Sequence, residues 1–302
     1  MEDRKSLTRY DDFYGMLSDE VRMEAFKKAI FAKVKPGDVV VDLGAGTGIL
    51  SFWAVEAGAK TVYAIEKSDA IELAKAVAQT NGISEKINFI KDNSKNVTLP
   101  EKVDVIISET LGCFAVDENI MEFIIDARNR FLKPNGTIIP EAIQICLAPV
   151  EASQIYKKLE FWDSIHGIDF SLAKEVFKKK LFVEEIKSNQ FLAEPKLFAA
   201  LDLYTEQDPY GGNVLYFAFE KNGTVHGIAG WFNVDLTDSI SISTDPESPM
   251  THWKQAYLNL SEPIEVIKND LMELSIKLNP EKELSDNSIV SFDYRCTQRG
   301  NK

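Results

Sequence analysis

Cysteine is scarce in this chain. The three thiols, Cys113, Cys146 and Cys296, are far apart and odd in number, so neither a disulfide framework nor a metal-ligand spacing is available. A reducing cytoplasm is the expected setting, with no metal. Positive charge is short as well: the formal net charge is −13 over 302 residues. Binding to phosphate backbones wants a basic face, so nucleic acid is excluded as the main partner. An acidic surface either concentrates cationic substrates or only keeps the chain soluble. No apolar run approaches the ~20 residues of a membrane span, and no apolar stretch follows Met1-Glu2-Asp3-Arg4-Lys5, so neither a membrane partner nor a signal peptide is expected. Internal repeats and low-complexity tracts are missing too. What is there is a hydrophobic content of 45%, in the range of folded globular proteins. The length allows one large domain or two smaller ones.

The chain divides by the period of its apolar residues. Residues 1–34 read as helical, with Ser18-Asp19-Glu20 as a start signal, Ser18 as N-cap, and Pro36-Gly37 as the stop. Residues 35–140 alternate strand and helix. Strands are expected at Asp38–Leu43, Thr61–Ile65, Ile87–Ile90, Val103–Ile107 and Thr137–Ile139, with helices at Ile49–Ala57, Asp69–Gln79 and Ile120–Leu132. That alternation implies an α/β fold with a parallel, doubly wound sheet.

The first strand runs into Asp42-Leu43-Gly44-Ala45-Gly46-Thr47-Gly48. Glycines at a strand-to-helix turn let a ligand approach backbone closely. A dinucleotide fold shows G-x-G-x-x-G; here the spacing is G-x-G-x-G and Asp42 precedes it. A carboxylate there suits the ammonium of an amino-acid group better than a pyrophosphate. Glu66, at the tip of the second strand, is placed to accept hydrogen bonds from ribose hydroxyls. Amino acid plus ribose points to S-adenosylmethionine as cofactor.

The stretch from Ser108 to Glu118 lies between the fourth strand and a helix, at the carboxyl edge where open α/β sheets place ligands. Glu109 and Glu118 stand nine residues apart around Gly112. Two converging carboxylates suit a planar guanidinium; alternatively this is a solvated loop that happens to be acidic.

Residues 141–302 change to strand-like runs: Ile143–Leu147, Phe198–Leu203, Val214–Phe219, Thr224–Val234, Pro263–Ile267, Leu271–Leu278 and Ser288–Tyr294. Asn222-Gly223 is a hairpin signal. A β sandwich or barrel is expected. Within it, residues 151–179 read as helical, with aromatics Phe161, Trp162 and Phe170 that serve either as a docking surface or as packing on the same domain. The loop Ser243–Gln255 is stiffened by Pro246 and Pro249 and presents His252, one of three histidines. His252 with Trp253 is either a structural pair or, beside a carboxylate, a held imidazolium or proton acceptor.

These motifs, in this order, resemble the protein arginine methyltransferase family. The match is carried by Val41–Ser51 with its acid-preceded glycines, by Ala64-Ile65-Glu66, by the Glu109–Glu118 loop, by Thr251-His252-Trp253 after Pro246-Glu247-Ser248-Pro249, and by Met16–Arg22. The resemblance implies a Rossmann-like class I methyltransferase domain, then a β-barrel domain with a helical dimerisation arm near 151–179, in a head-to-tail homodimer. It implies Glu109 and Glu118 on the substrate guanidinium, with His252 paired to Asp19. Arg22 would bind the cofactor carboxylate and Glu66 its ribose, with Asp42, Gly44, Gly46, Lys67 and Ser94 completing the cofactor site. Pro140 matches a proline that is typically cis.

The chain also departs from the family. Tyr10 and Tyr14 remain of a tyrosine-rich N-terminal helix, but only Gly15 separates Tyr14 from Met16. Thr110-Leu111-Gly112-Cys113 stands where the family usually has Trp-Met-Gly-Tyr. Ile120 replaces a methionine, and Lys95 stands where an acidic residue commonly meets the adenine. The expected activity is methylation of a guanidinium nitrogen, in a protein or in a small molecule such as free arginine. The other reading is a cofactor-binding dimer that works through its surface.

Overall fold

The short apolar runs of the first half pair edge to edge in parallel. A computed structural model of the chain describes residues 13–178, 180–208, 210–279 and 290–297. In it β1 (Val39–Leu43), β2 (Thr61–Ile65), β3 (Ile87–Ile90), β4 (Val103–Ser108) and β5 (Leu132–Ile139) form one sheet in the order β3-β2-β1-β4-β5. All four of its pairings are parallel. The order reverses between β1 and β4, so the loops after these two strands border one crevice. β1 is buried along its whole length, as expected of a strand covered on both faces.

Helices α1 (Glu20–Lys33), α2 (Ile49–Glu56), α3 (Ala70–Thr80) and α4 (Ile120–Phe131) belong to this half. A preceding helical turn at 13–18 breaks at Asp19. Asp19, not Ser18, is the N-cap of α1, its side chain accepting from the Arg22 amide at 3.0 Å. A carboxylate satisfies an orphan amide and offsets the positive helix end at once, which a hydroxyl does not. Tyr10 and the rest of 1–12 lie outside the described residues.

The second half is antiparallel. A six-stranded sheet runs β10 (Lys196–Asp202), β6 (Ala142–Val150), β12 (Gly223–Thr237), β14 (Gln255–Val266), β9 (Leu181–Glu184), with β13 (Ile240–Ser243) on β12. A three-stranded sheet runs β11 (Gly212–Ala218), β15 (Leu271–Leu278), β16 (Val290–Thr297). Their inner faces share one core, where Phe217, Met272 and Leu274 join Phe198 and Phe232. The result is barrel-like. The Ile139–Pro140 bond between the two halves is cis.

Three expectations need correction. Asn222-Gly223 is not a hairpin turn: β11 and β12 pair in different sheets, and Asn222 instead caps a neighbouring turn through Lys268 N–H, 2.9 Å. Pro263–Ile267 is not a strand of its own but the end of β14, continuous from Gln255. The 151–179 segment is not one helix. It holds α5 (Ser153–Glu160), the two-residue strands β7 (Ser164–Ile165) and β8 (Ile168–Asp169), and α6 (Ser171–Lys178). His166 and Gly167, both at positive φ, close that hairpin, because a left-handed pair matches the twist of a two-residue turn. The start of the expected Ser288–Tyr294 strand lies outside the described residues.

Candidate active site

The cleft at the sheet reversal is assembled from three distant parts of the chain. Asp19 at the head of α1 is its clasp. Oδ1 accepts from the Arg22 amide, and Oδ2 accepts from the His252 amide at 2.8 Å and lies 2.8 Å from His252 Nδ1. Burial would raise this carboxyl, but the hydrogen bonds from His252 and from the two amides outweigh it and hold it below its ordinary value. His252 is left with Nε2 free of this contact.

Arg22, on the inner face of α1, turns its guanidinium onto Glu109. Nε donates to Oε2 at 2.9 Å, and Nη2 makes a second contact with the same oxygen. Nη1 donates to the Met16 carbonyl at 2.9 Å. Both side chains are buried. Glu109 is thus already shown to accept a guanidinium, although here it is the chain's own.

The loop carrying both glutamates is clamped from two sides. Trp253 Nε1 donates to the Leu111 carbonyl at 2.7 Å. Phe114 is fully buried, stacks on Phe198 with centroids 6.2 Å apart, and fills the space over Gly230, where a Cβ would meet its ring at 2.5 Å. Asp117 closes the loop on itself, with Oδ1 accepting from Phe114 N–H at 2.8 Å and Oδ2 from the Cys113 thiol at 3.5 Å. Gly112 is obligatory under it, since a Cβ there would sit 2.2 Å from the Asp117 carboxyl.

Glu118 follows Asp117. Loss of solvation pushes its carboxyl up to about 7, and the charges of Glu109 and Asp117 push the same way, against Lys67 and Arg22. The residue as a whole is nevertheless exposed, so solvent screens much of this shift. The charge of Glu109 is thus felt at Glu118.

The glycine turn lies beside this loop. Gly44, Gly46 and Gly48 all take positive φ, and a Cβ on Gly44 would meet Thr110 at 2.6 Å. Asp42 is fully buried. Oδ2 accepts from Ser51 at 2.6 Å, while Oδ1 has no partner. Burial pushes this carboxyl up to about 7, with Glu66 and Glu109 adding to it. A buried carboxylate oxygen without a donor is costly and suits an incoming ammonium. Glu66 accepts from Gly46 N–H at 3.2 Å and from Ser68 N–H at 2.6 Å, which aims it at the turn.

The remaining expected residues fall further out. Lys67 is exposed and reaches the site only through its charge on Glu118. Ser94 is buried, and its carbonyl is taken by Arg130 at 2.7 Å. Lys95 pairs with Glu122. Among the described residues no group of histidine, cysteine or acidic side chains forms a metal site.

Asp117 and Thr110 carry no individual sequence signal as site-shaping residues, and Trp253 and Ser51 stand out only as members of their motifs. An Asp beside a Glu reads as one more solvated acid, and only the steric demand at Gly112 reveals it as a clamp. Ser51 had a usable signal, sitting one helical turn after the glycines and facing back toward Asp42.

Comparison with known proteins bears on the family and the fold. The chain matches the family described as the arginine methyltransferase oligomerization subdomain over residues 141–299. It also matches the ribosomal protein L11 methyltransferase family over residues 23–144. It is 32% identical to protein arginine N-methyltransferase 6 of Danio rerio, covering 92% of this chain and 84% of that protein. It is 33% identical to protein arginine N-methyltransferase 1 of Oryza sativa subsp. indica, covering 93% and 77%. Among solved structures it is similar to the Trypanosoma brucei PRMT1 enzyme–prozyme heterotetrameric complex with AdoHcy, at TM-score 0.84 and 25% identity over 96% of this chain and 94% of the other. Arabidopsis thaliana protein arginine methyltransferase 10 superposes at TM-score 0.79 with 28% identity, over 96% and 94%. With its clasped carboxylate cleft and this shared sequence over nearly its whole length, the chain belongs to the protein arginine methyltransferase family.

Proposed function

We propose that the chain transfers a methyl group from S-adenosylmethionine to a guanidinium nitrogen of arginine in a protein. The observation that carries this reading is the run of contacts joining His252 to Asp19, Asp19 to the Arg22 amide, and the Arg22 guanidinium to Glu109. Solved relatives hold AdoHcy and SAH, and the turn here suits the parent cofactor: Asp42 offers an unpartnered buried oxygen and Glu66 a carboxylate beside Gly46. When bound, S-adenosylmethionine supplies an electrophilic methyl group on a sulfonium.

The residues of the chain do the rest. Asp42 would receive the cofactor's ammonium and Arg22 its carboxylate, the latter by turning part of its fork from Glu109. Glu66 would take the ribose hydroxyls, with Gly44, Gly46, Lys67 and Ser94 around it. Glu109 and Glu118 would then hold the acceptor guanidinium. A free guanidinium is a poor nucleophile because its lone pairs are delocalised. Two carboxylates on one side draw the positive charge toward themselves, leave the far nitrogen more electron-rich, and offset repulsion from the sulfonium. Holding that nitrogen in line supplies much of the remaining rate. The proton released after transfer would go to Glu118 or through His252, which Asp19 orients.

A homodimer is part of the same proposal. Phe161, Ile168, Leu172 and Val176 on the α5–α6 arm are all exposed, an apolar patch that suits a second copy. The three thiols are all free, in keeping with a reducing compartment such as the cytoplasm.

The test is Glu109→Gln, assayed with labelled S-adenosylmethionine and arginine-containing peptides, with products read by mass spectrometry. Methyl transfer is expected to fall at least a hundredfold while cofactor binding stays. Full turnover would refute the role of Glu109. Methylation of free arginine but not of peptides would replace the protein acceptor by a small molecule.

A further inference from the structure

Between the arm and the barrel of the same chain lies a cavity of about 160 Å³ that shares no lining residue with the Asp19–Glu109–His252 cluster. Three aromatic side chains, Trp162, Phe177 and Phe182, form its walls. Trp162 and Phe177 pack with centroids 4.6 Å apart at 39°, so they present one continuous aromatic surface. Glu184 stands at the rim with its side chain only 15% exposed, and Lys158 reaches over from α5 to place Nζ 2.6 and 2.8 Å from its two oxygens. Asn259 on β14 lines the inside. It is 4% exposed, and its Oδ1 has no hydrogen-bond partner.

Each of these features asks something of an occupant. An aromatic surface beside a carboxylate attracts a cation with apolar substituents, by ring quadrupole and charge together. The orphaned amide oxygen requires an N–H donor, since a buried acceptor left unpaired is costly. Lys158 shows that a cation is already drawn to Glu184. Its own side chain is 64% exposed, so it is held weakly and is readily displaced. A simple ammonium is strongly hydrated and prefers water. An unmodified guanidinium carries five donors that the cavity cannot meet. A quaternary ammonium has no N–H for Asn259. A guanidinium in which methyl groups replace some of the donors meets all three demands.

We propose that this cavity binds an N-methylated guanidinium, seated on Glu184 in place of Lys158, with its methyl groups against Trp162, Phe177 and Phe182 and a remaining N–H donating to Asn259 Oδ1. The identification of that cation with the chain's own product rests on the arginine methylation proposed above; the chemistry of the cavity does not. A methylated arginine of an already modified protein would then be held on the enzyme while a further arginine is presented to the catalytic cleft.

The test uses the full-length Glu109→Gln protein, so that the catalytic carboxylate is out of play. Nω,Nω-dimethylarginine, L-arginine and tetramethylammonium are titrated separately by calorimetry in the presence of saturating S-adenosylhomocysteine. Dimethylarginine is expected to bind at least tenfold more tightly than either comparison. Adding Glu184→Gln should weaken it tenfold or more. Adding Lys158→Ala, an exposed change that leaves packing intact, should tighten it several-fold. The opposite signs of these two effects keep a misfolded Glu184→Gln protein from imitating the result. Absence of dimethylarginine binding, equal binding of L-arginine, or an affinity unmoved by both substitutions overturns the site. Loss of methyl transfer by the unmodified protein, with dimethylarginine still bound at Glu184, overturns the proposed reaction and leaves this site standing.

Discussion

Glu118 is the substrate-binding carboxylate whose ionisation is shifted upward. Its carboxyl is pushed up to about 7 by loss of solvation and by Glu109 and Asp117. It holds a guanidinium only when charged. Activity measured as kcat/KM is therefore expected to climb as pH rises through about 7. Asp117→Asn keeps an acceptor for the Phe114 amide but removes a neighbouring negative charge. The climb should then move to lower pH, and a profile unchanged by that substitution would contradict the coupling. The carboxylates were legible from sequence because their spacing and order are unusual. What they touch was not. Nothing in a string of letters says that Arg22, expected on a cofactor carboxylate, also rests on Glu109, because that contact needs α1 and β4 to be side by side.

At the level of elements, period and punctuation located the parallel sheet well. Five apolar runs, with helices in three of the four gaps between them, became β1 to β5, and Leu271–Leu278 became β15 with the same bounds. The failures have physical causes. Ser18 and Asp19 are both capping residues, and only the reach to His252 decides between them. Asn222-Gly223 carries hairpin chemistry, but its flanking strands found partners in different sheets. β9 and β13 are four residues each and take their structure from the long strands β14 and β12 beside them; tertiary pairing of that kind leaves no local signal. Asp19 also allows a quantitative expectation. Asp19→Ala removes an N-cap and leaves the His252 amide without its acceptor, so stability should fall by about 1–2 kcal/mol, read by denaturant unfolding at neutral pH. Since the folded carboxyl lies below its ordinary value near 3.8, this contribution is present above that pH and drains away as pH falls through the lower folded value. The gap between parent and variant should close in acid. A gap that persists there would mean the loss is one of packing.

For the molecule as a whole, the apolar arm is the feature that composition hides. Leu172 is 84% exposed, and burying such a side chain in a self-association contact contributes on the order of 2 kcal/mol. Under the proposed homodimer, Leu172→Glu is expected to shift the monomer–dimer equilibrium toward monomer by at least tenfold in sedimentation, with the unfolding midpoint unchanged at low concentration. A dimer that survives this change would place the contact elsewhere. Sequence reading caught the aromatics of this segment but not its hairpin, because four residues of strand between two short helices are too few to show a period.

The clasp between Asp19 and His252 has a consequence for how the protein is made. The two members of the pair lie 233 positions apart in the sequence, so one is synthesised long after the other. A growing chain that has not reached His252 therefore carries both glutamates and the glycine turn without the histidine that pairs with Asp19. Under the proposed reaction, a chain truncated before His252 is expected to transfer methyl groups more slowly than the intact one, as read by the same labelled-cofactor assay.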